Sequence, residues 1–409
     1  MAMKQTQTKI FKFSDVDLDF SASSKSLFPS RFKKMLSDGY NEQTVISVSI
    51  SENQVTFTYG GAHGYSDGRV LKVDSGALAL INSGEFWIDS VTPSTVTFTL
   101  DEAPPVVSGG FKTRIAPIGF ELVYEQGLVQ VYKFKHIDDT DLYLRMLFMQ
   151  PVQAGGNYII PCIAKSYDPD TGFITDPFAY QPNKEVVDWS LGTKWLFTSS
   201  SGATNSHTFN YSQGASTYGD GIVMGSLYHL VTMSNGSSSS RAVNGILPCE
   251  TLEIESLDYP LLMGPNIEHA QGTLSSTTFE IYTENNNQSQ GVLGNYRVMF
   301  FGSGTPTTPN ATASALPEGL QPFNVATANT ITLYERASRQ IIGYVTRGLY
   351  LCQFSSSNTP PTVPASTPSL HYDYETLGRV YIHNLNKVSN GGASNGVFFA
   401  APIEDVKNG

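Results

Sequence analysis

Three aspartates, Asp15, Asp17 and Asp19, alternate near the start of the chain. On a strand they would share one face, which could hold a cation or a basic partner; a solvated acidic face is the plainer reading. Asp168-Pro169-Asp170-Thr171-Gly172 opens like a calcium loop. Only Asp176 stands near the later ligand positions, which favours an Asx-Pro turn. Asp138, Asp139 and Asp141 read as a polar loop in the same way. The seven histidines (His63, His136, His207, His229, His269, His371 and His383) never fall two to four apart, so no local zinc pair exists. There is no P-loop, no nucleophile elbow and no H-E-x-x-H helix. No catalytic, cofactor-binding or metal-ligating residue is therefore assigned, and the chain reads as non-enzymatic.

One cluster mixes rings with carboxylates: Tyr372-Asp373-Tyr374-Glu375, after His371. Such groups bind sugars by stacking and by hydrogen bonds to hydroxyls, and they also build protein interfaces. Trp87, Trp189 and Trp195 are scattered, which favours an interface. Asn210, Asn235, Asn287 and Asn310 begin N-x-S/T triplets. In a chain this rich in Asn, Ser and Thr, chance accounts for them. Cys162, Cys249 and Cys352 are odd in number, far apart and without a CxxC pair, as in a protein folded in a reducing compartment.

The elements around these residues are mainly strands. Phe11 and Phe13, then Val16, Leu18 and Phe20, change parity at Ser14-Asp15, where a bulge or turn is expected. Leu27–Leu36 predicts a short helix with Phe28, Phe32, Met35 and Leu36 on one face and Gly39 as its stop. Strands are predicted at 45–50, 55–59, 69–73, 85–91, 96–100, 118–124 and 128–135. Turns fall at Glu52-Asn53, Thr92-Pro93-Ser94 and Gln126-Gly127, and residues 60–68 form a glycine-rich loop. Residues 142–149 are apolar on both faces and suit a buried strand. Further strands are expected at 158–164, 195–198, 222–232, 278–283, 296–301, 331–334, 341–354, 379–383 and 397–400. Polar loops follow at 199–220 and 234–240, and Pro-rich arms at 302–319 and 355–369.

Bulk composition agrees. Of 409 residues, 15% are charged, against roughly 25% in an average domain. Aromatics at 11%, with 36 Gly and 22 Pro, suit a turn-rich β protein better than a helical enzyme. The net charge of −11 argues against a nucleic-acid partner, and Arg31, Lys33 and Lys34 form the densest basic group. No apolar run reaches the roughly 18 residues of a membrane helix. The start, Met1-Ala2-Met3-Lys4-Gln5, has no apolar signal core, so synthesis in a cytoplasm and release by lysis are expected. The predicted fold is mostly β. A small β-barrel lies in an N-terminal segment, 1–135; a β-sandwich-like domain with long loops, 136–301, follows; a Pro-rich arm and C-terminal β segment, 302–409, close the chain.

Within Val55–Leu100 the order is strand, His63-Gly64-Tyr65, Gly68, strand, Gly84-Glu85-Phe86, Val91 and Val96-Thr97-Phe98. This stretch, about a tenth of the chain, resembles a small β-barrel module of bacteriophage tail and other virion structural proteins. That module is similar in fold to the first catalytic-cysteine half-domain of ubiquitin-activating enzymes. Ile160–Tyr167 with Thr171–Ile174 also resembles phage virion proteins. The resemblance transfers no catalytic residue, since no Cys precedes Cys162. It implies a structural component of a phage virion, in the tail or baseplate, assembled in the host cytoplasm. Its partners would be other virion proteins and further copies of itself, with neither nucleic acid nor membrane bound. The alternative is a virion protein that binds a host receptor or glycan.

Overall fold

The computed structural model describes residues 7–21, 24–148, 157–188, 194–198, 211–212, 220–235, 241–264, 291–299, 330–335, 337–338, 340–351, 367–373, 378–385 and 397–406. The strand expected at 278–283, the arm at 302–319, most of the arm at 355–369 and most of the loops at 199–220 and 234–240 lie outside them. So do Trp189, Cys352, His207, His269, Tyr374 and Glu375. The mostly-β class is borne out: among the described residues four antiparallel sheets of ten, seven, five and four strands carry the structure.

The seven-stranded sheet runs in the order Glu85–Trp87, Val70–Val73, Lys112–Ile115, Tyr40–Ser51, Gln54–Tyr59, Thr95–Thr99, Ser90–Val91. Its two end strands are consecutive in the chain, so the sheet curls until its ends meet at Ile88-Asp89. The Ile88 N–H donates to Arg69 O and the Asp89 N–H to Thr97 O, one toward each end. Tyr40–Ser51 makes the curl possible. Bulges at its start split it, the first half pairing with Lys112–Ile115 and the second with Gln54–Tyr59. The inward residues form an aromatic core. Phe86 stacks on Phe98 at 4.6 Å, while Phe57 meets Phe98 and Phe111 edge-on at 5.1 and 5.2 Å. Lys112–Ile115 escaped the sequence reading because its short KTRI run carries two charges.

The five-stranded sheet runs Trp195–Thr198, Asn157–Ala164, Asp141–Phe148, Val129–Lys135, Glu121–Gln126. The ten-stranded sheet begins with Lys9–Lys12 against Ile222–Ser226 and ends with Ile341–Val345 against Cys249–Thr251. Hydrogen-bonded sheets therefore span residues 135/136 and 301/302, where the sequence placed its boundaries. The four-stranded sheet, Tyr350–Leu351, Val397–Pro402, Gly378–Leu385 and Ser369–Asp373, closes the chain.

The predicted helix forms as 3-10, α and π turns over Lys25–Asp38. Gly39 caps it at φ 76°, and Phe28, Phe32, Met35 and Leu36 are buried. It joins two sheets through rings. Phe13 meets Phe20 at 4.5 Å, Phe20 meets Phe28 at 4.7 Å, and Phe28 meets Phe197 of the five-stranded sheet at 5.0 Å. Two long strands are corrected. Residues 222–232 are a hairpin, Ile222–Ser226 and His229–Asn235, because Ser226 Oγ bonds both the Tyr228 N–H and His229 Nδ1 and turns the chain. Residues 341–354 break after Val345 at Gly348, φ 91°, before Tyr350–Leu351.

Candidate functional site

The alternating aspartates do not share a strand face. The strand stops at Lys12, and Asp17 and Asp19 take positive φ in the following turns. Asp15 accepts both Arg69 Nε and Nη2 at 2.8 Å, together with the Lys12 N–H and the Tyr40 hydroxyl. Asp17 accepts Lys34 Nζ and the Asn41 N–H; Asp19 accepts the Ser212 N–H. Each carboxylate thus satisfies a separate structural partner. The basic group is likewise occupied, with Lys33 paired to Glu125 and Lys34 to Asp17.

The remaining acidic motifs resolve into turns. Asp168 accepts the Asp170 N–H and the Thr171 hydroxyl, an Asx turn closed by the Tyr167–Ile174 bridge. Asp176 is buried under Lys165 N–H, Phe178 N–H and the Tyr259 hydroxyl. Asp138 caps the turn through the Thr140 N–H and hydroxyl and His136; these bonds outweigh partial burial and hold its carboxyl down to about 2. Among the described residues no three His, Cys, Asp or Glu side chains group as a metal site would require. No helix among them is long and apolar enough to cross a membrane.

The motif His63-Gly64-Tyr65 serves packing. His63 Nε2 donates to Thr92 O at 2.8 Å and its Nδ1 accepts the Tyr65 N–H, which ties the glycine-rich loop to the Thr92–Ser94 turn. The Tyr65 hydroxyl reaches Asn41 O and Thr113 O, and burial raises it far above the ordinary phenol range. Cys162 and Cys249 are buried free thiols, each pushed up to about 12 by burial.

What the sequence did not bring together is a cleft of about 310 Å³ at the junction of three regions. The N-terminal strand and turn supply Lys12, Ser14 and Val16. The glycine-rich loop supplies Ser66, Asp67 and Gly68, and Trp87 stands beside it. The C-terminal sheet supplies Leu370, Arg379 and Tyr381. The floor is the buried Asp15–Arg69 pair. Burial works against the Arg69 charge, but the Asp15 bonds outweigh it and hold the guanidinium above its usual range. Cross-strand register puts Leu370 opposite Tyr381 and Tyr372 opposite Arg379. Alternation along a strand puts both pairs on one face, the face that lines the cleft.

No protein-family model and no curated protein matches this sequence. The cleft combines the rings of Trp87 and Tyr381 with charged side chains, a lining that can hold a small polar ligand. Tyr372, singled out in the sequence, does not line the cleft but pairs across the strand with Arg379, which does, and is 57% exposed. Trp195 does not line it either: it is buried and donates Nε1–H to Met263 O at 2.8 Å.

Proposed function

We propose that this chain is a non-catalytic structural subunit of a phage virion, in the tail or baseplate, that works by assembly with other virion proteins and with copies of itself. The observation that carries the reading is an exposed apolar corner on the ten-stranded sheet. Cys249–Thr251 is a terminal strand with no partner on its outer side among the described residues. Beside it Leu252, Ile254, Ile341 and Tyr344 stand 53, 49, 59 and 41% exposed. The Leu252 N–H donates to Ile342 O and the Tyr344 hydroxyl to Glu250, so the patch is fixed on rigid backbone. An unpaired edge flanked by large apolar side chains is a surface that association buries. The likeness of Val55–Leu100 to a phage barrel module supplies the virion setting.

Light scattering of the purified chain tests this. A defined multimer is expected, shifted toward monomer by Ile341→Asp with Leu252→Asp. A monomer at every concentration that also fails to co-assemble with tail proteins would sink the proposal. The second reading, a glycan-binding virion protein, is favoured by one observation, the aromatic and charged cleft beside Tyr372.

A further inference from the structure

We infer that the cleft binds an acidic saccharide, with Arg379 and Lys12 receiving the carboxylate of a uronic-acid unit and Trp87 and Tyr381 forming the surface on which its ring packs. The inference rests on the second reading above and is independent of assembly.

The charge of the cleft comes first. Arg69 and Asp15 line it but neutralise one another. The Arg379 guanidinium lines the space with no hydrogen bond or ion pair among the described residues, and the Lys12 ammonium lines it with only a through-space interaction with the carboxylate of Asp220. Asp67 is the facing carboxylate at the exposed side of the loop. With Lys12 set against Asp220, Arg379 is the cation of the cleft without a carboxylate of its own, which favours a ligand carrying negative charge, and a guanidinium fork matches a carboxylate in particular.

Shape comes second. Gly68 lines the cleft with φ 66°, and a Cβ placed there would sit 3.9 Å from Trp87 Cζ2 and 4.0 Å from Arg379 Nη1. The indole edge and the guanidinium therefore converge on one point, and the missing side chain leaves that point open. Tyr381 and Leu370 continue the wall from the facing strands, and Tyr372 lies beside Arg379 on the same face. A volume of about 310 Å³ is at the small end of ligand sites, which run from about 300 to 1,000 Å³, and suits one or two sugar rings.

Hydroxyl recognition comes third. Ser66 and Asp67 stand exposed on the lip and accept or donate hydrogen bonds to hydroxyls, which a plain anion would not use. A nucleotide also offers a ring and negative charge. A phosphate dianion would meet the Asp67 carboxylate and a chain of net charge −11, so the singly charged, hydroxyl-rich ligand is favoured.

Calorimetric titration of the full chain with the methyl glycoside of galacturonic acid, its neutral methyl ester and adenosine monophosphate decides the matter. The singly charged uronate is expected to bind at least ten-fold more tightly than either of the others. Arg379→Ala is expected to weaken it at least ten-fold with the melting temperature unchanged, because the guanidinium holds no structural partner. Equal binding of acid and ester, tighter binding of the nucleotide, no binding, or an Arg379→Ala variant that binds like the parent would each overturn the assignment. Light scattering on the same samples separates the two proposals. A multimer that ignores the sugar refutes the cleft alone, and a monomer that binds it but does not co-assemble with tail proteins refutes assembly alone.

Discussion

Two arginines lie in the interior of this protein and meet opposite environments. Arg69, at the rim of the seven-stranded sheet, is 4% exposed and faces Asp15 through two bonds of 2.8 Å. Arg145, in the middle of the five-stranded sheet, is fully buried without a carboxylate among its described contacts. It donates Nε–H to Gly172 O at 3.0 Å and Nη2–H to Val186 O at 2.7 Å, lies over the Phe173 ring, and leaves Nη1 buried without a hydrogen bond. The chemistry follows the setting. Asp15 holds the Arg69 charge in place, whereas burial pulls Arg145 below the ordinary guanidinium range. A charge met by a full countercharge acts as a rivet whose halves depend on each other; a charge met by carbonyl dipoles is tolerated rather than required. His229 shows a third solution. Fully buried beside Ser226 Oγ, it is driven down to about 3 by burial and stays neutral.

This contrast can be broken in order of effect. Asp15→Ala strands the Arg69 charge and also deprives the Lys12 N–H and the Tyr40 hydroxyl of their acceptor. A loss of about 3–5 kcal/mol in urea unfolding is expected. Removing Arg69 as well, as Asp15→Ala with Arg69→Met, should restore part of it. A double variant no better than the single would show that the charge itself is not the cost.

The next effect is in pH. The unfolded His229 titrates near 6.5 and the folded one near 3, so the unfolded state binds the extra proton between those values. The stability that neutral His229 contributes is complete above pH 6.5 and is lost as the pH falls toward 3, at up to about 1.4 kcal/mol per pH unit. Unfolding curves from pH 7.5 to 4.5 should show that slope reduced in His229→Gln. An unchanged slope would mean that the ring is protonated where it sits.

The smallest effect is expected at Arg145→Met, which fills the same space without charge and leaves two carbonyls short of a donor. Stability within about 1.5 kcal/mol of the parent is predicted by the same unfolding assay. A loss as large as that of Asp15→Ala would erase the distinction between the two sites.

How much of this was legible depends on sequence distance. The short helix was readable to its stop, because Phe28, Phe32, Met35, Leu36 and Gly39 lie within one local pattern. The turns at Glu52-Asn53 and Gln126-Gly127 were readable for the same reason. The hairpin at 222–235 was not, since both of its strands are buried on two sides and the apolar run continues through the turn. The aspartates misled because period-two spacing imitates a strand when the backbone instead turns through positive φ at Asp17 and Asp19.

By itself the sequence determined the class of this protein: low charge, many rings and frequent Gly and Pro leave strands and turns as the stable use of the chain. It also determined which local faces are apolar. Only the tertiary structure decided that Asp15 would meet Arg69 across 54 residues, and that Lys12, Trp87 and Arg379 would surround one cleft. Periodicity reports which side of an element is buried, but it carries no information on which distant element covers it. That choice follows from sheet order and register, and here the curl of the seven-stranded sheet and the docking of the chain's two ends make it.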